Sequence, residues 1–283
     1  MSFNFIMTND PDHGITKEYI PIFKELTNIG VKVSTAVFCK IEEFDEYPNE
    51  PKSLAKHCHK GETHSLENPA YKDLMLEIKD LGHEITFHGY SQISNTREQF
   101  EMGLDIYKDV FGEYPFVYME HGGNPKKHPV SMCKKETLDM YGKDKNSKYY
   151  IWDIIKEKIG CVWAHHQLID DDNSFKKNHE LFYEEDGVLM FRRYRMCKLE
   201  SMIESNIGKF NKDNIFIGYT HFGYSGYLTW DSKSGKHFVS NADILENWWN
   251  PTLLRQSIKK MKNIINAYNP KIYTIREFVE EKL

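Results

Sequence analysis

Two carboxylates and an imidazole stand within four positions at Asp10-Pro11-Asp12-His13, directly after the strand-like run Phe3-Asn4-Phe5-Ile6-Met7 and before Gly14. Like charges that close raise each other's pKa and resist burial unless a cation or a hydrogen-bond network neutralises them. At the C-terminal mouth of a first strand, such a cluster serves a metal or a proton transfer. The plain alternative is an Asp-Pro turn with a solvated Asp-x-Asp. The pattern recurs, however. His88 follows Glu84–Phe87, Glu120-His121-Gly122-Gly123 follows Phe116–Met119, His165-His166 follows Cys161–Ala164, and His221 follows Ile215–Thr220. Arg192, Arg193 and Arg195 ride on a further apolar run, where Arg193 and Arg195 share one face and Arg192 takes the other.

The elements that must position these groups alternate. Strands are expected at Phe3–Met7, Val31–Phe38, Glu84–Phe87, Phe116–Met119, Gly160–Ala164, Val188–Arg195, Ile215–Thr220 and Ile272–Thr274. Helices are expected at Lys17–Leu26, Ala70–Leu81, Arg97–Phe111, Tyr149–Lys158, Pro251–Tyr268 and Ile275–Lys282, with residues 40–69 a long loop. Strand–helix alternation means parallel strands joined by crossover helices. With seven or so strands and no Gly-x-Gly-x-x-Gly after the first, the expectation is an α/β fold, a distorted (β/α) barrel of about seven parallel strands, spanning residues 1–283 as one domain. A barrel gathers its chemistry at the C-terminal ends of its strands, which is where the carboxylates and histidines fall.

Composition narrows the classes. A chain of 283 residues, 40% hydrophobic and 14% aromatic, has enough apolar mass for a large core. A net charge of −5 without a long basic block argues against nucleic acid as the main partner. Five cysteines, never spaced as C-x-x-C, argue against a disulfide framework or a thiolate zinc site and for a reducing compartment. No apolar run approaches about 18 residues, so neither a membrane span nor a signal peptide is expected, and the protein is expected to be cytoplasmic.

The run Gly82-His83-Glu84-Ile85-Thr86-Phe87-His88-Gly89-Tyr90-Ser91-Gln92 resembles the second motif of the NodB-homology polysaccharide deacetylases, G-H-E-I-x-x-H-T/S-x-x-H. Thr8–Gly14 resembles their T-F-D-D-G, Thr220-His221 their late strand ending in histidine, and Tyr273–Phe278 their closing T-x-x-E segment. The resemblance implies the NodB type of distorted barrel, a divalent metal (zinc first, with cobalt, nickel or manganese as alternatives) and removal of an N-acyl group from an amino sugar. It implies Asp10 as general base, Asp12 and His88 as metal ligands, and His221 as general acid.

Three departures shape the expectation. Pro11 separates Asp10 from Asp12, where the family's pair is adjacent. Gln92 stands where the second ligand histidine belongs, and an amide oxygen is a poor zinc ligand. Glu120-His121-Gly122-Gly123-Asn124-Pro125 replaces R-x-P-x-G. His121 is therefore expected to complete the ligand set, with Glu120 or His13 next in line and His13 and Gln92 around the metal's ligands. Glu120, Arg193 and Tyr224 are expected to bind substrate, with Arg193 or a neighbouring arginine orienting Asp10 as the alternative. Tyr90, Tyr118, Trp163, Tyr227 and Trp230 are further candidates for stacking on sugars. The substrate expected of a cytoplasmic enzyme is a carbohydrate precursor of a surface polysaccharide such as O-antigen or capsule, nucleotide- or lipid-linked. The competing readings are a glycoside hydrolase using two carboxylates such as Asp10 and Glu120, and a sugar-binding barrel whose metal site has decayed.

Overall fold

The computed structural model describes residues 3–10, 16–40, 65–121, 133–164, 167–169, 180–195, 215–220 and 251–283. Its elements are β1 (Asn4–Asn9), α1 (Thr16–Asn28), β2 (Val33–Phe38), α2 (Pro69–Asp80), β3 (Glu84–Gly89), α3 (Arg97–Phe111), β4 (Val117–Met119), α4 (Trp152–Lys158), β5 (Cys161–Trp163), β6 (Leu168–Ile169), β7 (Phe182–Glu185), β8 (Val188–Phe191), β9 (Arg193–Arg195), β10 (Ile215–Thr220), α5 (Pro251–Tyr268), β11 (Lys271–Tyr273) and α6 (Ile275–Lys282).

Local chemistry places the helices. Asn68 caps α2 by accepting from Ala70 N, and Pro69 occupies its first turn, where no N–H is needed. In α3 the Thr96 side chain bonds Gln99 N while Gln99 returns to Thr96 N, and Thr274 with Glu277 repeats that capping box at α6. Tyr71, Leu74, Met75 and Ile78 of α2 are buried, as are Phe100, Leu104, Tyr107 and Phe111 of α3. That three-and-four spacing presents one apolar stripe to the sheet, each large side chain contributing about 1.5–3 kcal/mol on burial.

The strands follow the order β6-β9-β10-β1-β2-β3-β4-β5-β8-β7. Every pair is parallel except β7 with β8. All of β1 pairs β10, while its first half pairs β11 and its second half β2. Only Arg192 separates β8 from β9, so the run 188–195 binds β5 at one end and β10 at the other. Counting that run once, β10, β1, β2, β3, β4, β5 and β8–β9 make a circuit of seven parallel strands, the expected α/β barrel.

The structure adjusts three expectations. The strand expected over Val188–Arg195 is two, broken at Arg192. A hairpin partner, β7, had not been anticipated; it turns at Asp186-Gly187, whose φ angles of 50° and 81° are the left-handed pair a two-residue hairpin requires. The helix expected from Tyr149 begins at Trp152, after a series of turns. Cys39 and Cys161 are buried free thiols whose pKa values burial pushes up, which leaves them unreactive. Among the described residues no helix is long and apolar enough to cross a membrane.

Candidate active site

Because the circuit is parallel, the C-terminal ends of β1, β3, β4 and β5 open on one face. Asp10 follows β1 directly, His88 lies in the last turn of β3's run, and Glu120 and His121 follow β4. Arg193 enters from β9 and holds Asp10. Its Nη1 and Nη2 donate to the two carboxylate oxygens of Asp10 at 2.8 and 2.7 Å. Nη1 also donates to Thr8 Oγ1 at 3.0 Å and lies 3.4 Å from Met119 Sδ. The Thr8 hydroxyl spends its own proton on Gly218 O at 2.9 Å. The guanidinium covers the Trp163 ring at 3.4 Å and the Tyr219 ring at 4.2 Å from their centroids. One side chain thus touches β1, β4, β5 and β10, which only the interior of a closed barrel allows.

The electrostatics are those of a dry ion pair. Arg193 is 0% exposed and Asp10 3%. Two isolated charges would not survive there, but a forked guanidinium matched to a carboxylate, with a hydroxyl and two aromatic faces around it, compensates most of the lost hydration. Asp10 therefore sits fixed at the rim of β1 with its charge balanced from below.

His88 is positioned differently. Its Nδ1 lies 2.6 Å from Met119 O. A carbonyl only accepts, so Nδ1 is the donor, which leaves Nε2 as the ring nitrogen that can turn toward a metal, the arrangement found in metal-binding histidines. The ring packs on Phe38 at 4.7 Å, and His121 packs on the same Phe38 at 5.1 Å. The centroids of His88 and His121 are 5.0 Å apart. The two rings meet edge to face, within the ordinary range of packed aromatic pairs. Among the described residues no group of three His, Cys, Asp or Glu stands ready to hold a metal.

The expected residues divide. Asp10, Arg193, His88, His121 and Glu120 converge on one end of the sheet. Asp12, His13, His221 and Tyr224 lie outside the described residues, as do His165, His166, Tyr227 and Trp230. Of its two expected roles Arg193 shows the second, holding Asp10: Nη1 and Nη2 are spent on Asp10 and Thr8, while its buried Nε makes no hydrogen bond among the described residues. Glu120 is likewise no surface contact: it is 1% exposed, and its Oε1 accepts from Leu138 N at 2.6 Å. Trp163, Tyr118 and Tyr90 are buried and do not offer faces to a sugar. Gln92 Oε1 is buried and makes no hydrogen bond among the described residues. Arg192 points away from Arg193, with Nε on Gln167 Oε1 at 3.0 Å and its guanidinium over Tyr183, as strand alternation demands.

Two features escaped sequence reasoning. Thr8 acts as the relay between Arg193 and β10, and a buried pair, Lys134 and Glu136, braces the loops around the site. Lys134 Nζ donates to Ser91 O at 2.7 Å and Asn95 Oδ1 at 3.1 Å and pairs with Glu136 Oε1 at 2.8 Å. Burial pushes the Glu136 carboxyl up, with the Lys134 ammonium pulling it back. No spacing in the sequence announces either feature.

No family model and no curated protein matches the chain. Solved structures do. A GH57 branching enzyme from Thermococcus kodakaraensis aligns over 99% of this chain and 70% of its own, at 11% identity and a TM-score of 0.50. The catalytic domain of a peptidoglycan N-acetylglucosamine deacetylase from Eubacterium rectale aligns over 97% and 90%, at 14% identity and 0.42. The peptidoglycan deacetylase PdaC from Bacillus subtilis aligns over 99% and 92%, at 10% identity and 0.41. The likeness is one of fold.

Proposed function

We propose that the chain is a metal-dependent hydrolase that removes an N-acyl group from an amino sugar, with Asp10 as general base, His221 as general acid, and Asp12, His88 and His121 as metal ligands. The observation that carries this reading is the Asp10–Arg193 fork together with His88, whose Nδ1 is tied to the backbone of Met119, the residue that Arg193 also contacts through its sulfur. A bound divalent ion would supply Lewis acidity toward the acyl carbonyl and a more acidic water. The remaining work belongs to the chain. Arg193 keeps Asp10 oriented and charge-balanced, so that its carboxylate can take a proton from water at the rim of β1. Burial of the Trp163 and Tyr219 rings around the guanidinium keeps solvent from competing for it. His221 follows β10 in sequence, and β10 pairs with β1; we assign to His221 the proton that the departing amine takes up. The acceptor we infer is a nucleotide- or lipid-linked precursor of a surface polysaccharide, in keeping with a reducing, cytoplasmic setting.

The test is release of acetate from N-acetylglucosamine oligomers and from a nucleotide-linked N-acetyl sugar by protein loaded with zinc or cobalt. Asp10→Asn and His88→Ala should each abolish it. His221→Ala should keep the metal and lower turnover about 10²–10⁴-fold. Acetate release that survives Asp10→Asn would refute the assignment.

Glu120 favours a second reading. A carboxylate buried at the end of β4, held by Leu138 N, together with Asp10 after β1, is the minimum equipment of a glycoside hydrolase. New reducing ends without acetate, lost in Glu120→Gln, would select it.

A further inference from the structure

Between β4 and α4, residues 133–151 form neither helix nor strand. Irregular stretches of that length inside compact proteins are as a rule functional. This one is rigid. Tyr141 N donates to Lys135 O and Gly142 N to Thr137 O, both at 3.0 Å, while Ile151 N and Trp152 N both reach Gly142 O at 2.9 and 3.1 Å. Gly142 is packed so closely that a Cβ there would meet Glu136 O at 2.3 Å. The stretch is also fastened to the face that carries Asp10 and His88. Lys134 binds the loop after β3, Lys135 N donates to Ser94 Oγ at 3.2 Å, Leu138 N to Glu120, and Arg97 N to Lys148 O at 2.8 Å.

What this scaffold presents to solvent is an aromatic stack fringed by lysines. Tyr141 is 43% exposed, the one aromatic among the exposed large apolar side chains of the described residues. It stacks on Tyr149 at 6.3 Å between centroids and 28° between planes. The ammonium groups of Lys148 and Lys135 lie 5.2 and 5.6 Å from the Tyr149 ring, and Lys145 of the same loop is exposed. Lys143 covers Trp152 and pairs with Glu185. Opposing charge comes from Asp144, exposed with its Oδ1 accepting from Asn146 N, from the exposed Glu98, which feels the Lys148 charge, and from Asp153 and Glu101, both paired with Arg97. Residues 141–149 hold three lysines and one aspartate in a chain of net charge −5.

We propose that the Tyr141–Tyr149 stack and its lysine fringe form a binding site for an acidic polysaccharide strand, one bearing sugar carboxylates, separate from the site at Asp10. A phenol face accepts the C–H face of a pyranose ring, and a fixed aromatic loses little entropy on binding. Lysines are point charges spaced along the stack, which suits one carboxylate per sugar; a phosphate chain is better served by clustered arginine forks. A protein partner would call for a wider apolar patch than one tyrosine ringed by charges. Binding here is independent of turnover and does not rest on the deacylase reading.

The experiment is calorimetric titration of the full chain, at low salt, with an oligogalacturonate of about ten sugars, a neutral chitin oligomer and a single-stranded oligonucleotide. The oligogalacturonate should bind in preference to both, more weakly as salt rises. Tyr141→Ala and the pair Lys145→Glu with Lys148→Glu should each weaken it about tenfold. All these side chains lie at the surface, so an unchanged melting temperature verifies the fold. The same affinity in His88→Ala would separate this site from the one at Asp10. Absent oligogalacturonate binding, equal affinity in Tyr141→Ala, or tighter binding of the oligonucleotide or the neutral oligomer overturns the proposal.

Discussion

The guanidinium of Arg193 and the carboxylate of Asp10 meet in two parallel hydrogen bonds across 183 residues of sequence, in a part of the barrel that water does not reach. Each charge makes the other's burial tolerable. Removing one partner strands the other, which in buried pairs costs about 3–5 kcal/mol. Arg193→Met should lower unfolding free energy in urea by that order. Arg193→Lys, which keeps the charge but not the fork, should lose less stability while still misorienting Asp10. A loss under about 1 kcal/mol in Arg193→Met would show that the pair does not anchor the barrel.

The metal expectation turns on His121 against Gln92. His121 and His88 pack on the same Phe38 and on each other, whereas Gln92 buries its oxygen without a hydrogen bond among the described residues. His121→Ala should therefore reduce zinc content, measured on dialysed protein by mass spectrometry, far more than Gln92→Ala. The reverse ranking would put the amide in the ligand set.

Lys134 and Glu136, each 1% exposed, offer a cleaner test of buried charge. Lys134→Met alone should cost about 3–5 kcal/mol, because the buried Glu136 loses the Lys134 ammonium and must either stay charged without a partner or take up a proton. Adding Glu136→Leu should recover most of that loss, since well-packed apolar pairs often equal buried ion pairs. If the double variant is no more stable than the single one, the bonds from the ammonium to Ser91 O and Asn95 Oδ1 matter more than the pairing.

At the opposite end of the barrel, His83 and Glu84 carry opposing pH dependences. Burial brings the His83 pKa down to about 4; its Nδ1 accepts from Val33 N and its Nε2 lies 2.8 Å from Thr27 Oγ1. The unfolded chain thus binds that proton more tightly, and stability falls as pH drops from about 6.5 toward about 4. Burial pushes the Glu84 pKa up to about 7, against bonds from Ser34 Oγ, Ile275 N and Arg276 N and the nearby Arg276 charge. There the folded chain binds the proton more tightly, so stability falls as pH rises from about 4.5 toward about 7. Between about pH 4.5 and 6.5 the two slopes oppose each other. Glu84→Gln keeps an acceptor for α6 and removes one slope, so its melting temperature should drop more steeply on acidification than the parent's. Parallel curves for the two proteins would show that Glu84 does not titrate in that window.

How the outcome divides between sequence and tertiary structure follows from the range of the interactions. The helices Arg97–Phe111, Pro251–Tyr268 and Ile275–Lys282 and the strand Ile215–Thr220 were legible residue for residue, because caps, periodicity and apolar runs are local signals. The Asp186-Gly187 turn signal was equally local, and the hairpin it makes with β7 could have been read from it. The α/β class and the gathering of Asp10, His88, Glu120 and His121 at one end of the sheet also followed, since parallel strands force successive C-terminal ends onto one face.

What the sequence left open was which partner each buried charge would choose. Arg192, Arg193 and Arg195 were equivalent candidates by type, and Trp163 was a candidate sugar platform. Closure of the barrel through residues 188–195 put Arg193 inside with Asp10, Thr8 and Met119, turned Arg192 outward, and made Trp163 a cover for a guanidinium. A dry interior settles such choices by desolvation: a buried charge must find its complement among residues far away in the chain, and only the folded barrel brings that complement within 3 Å.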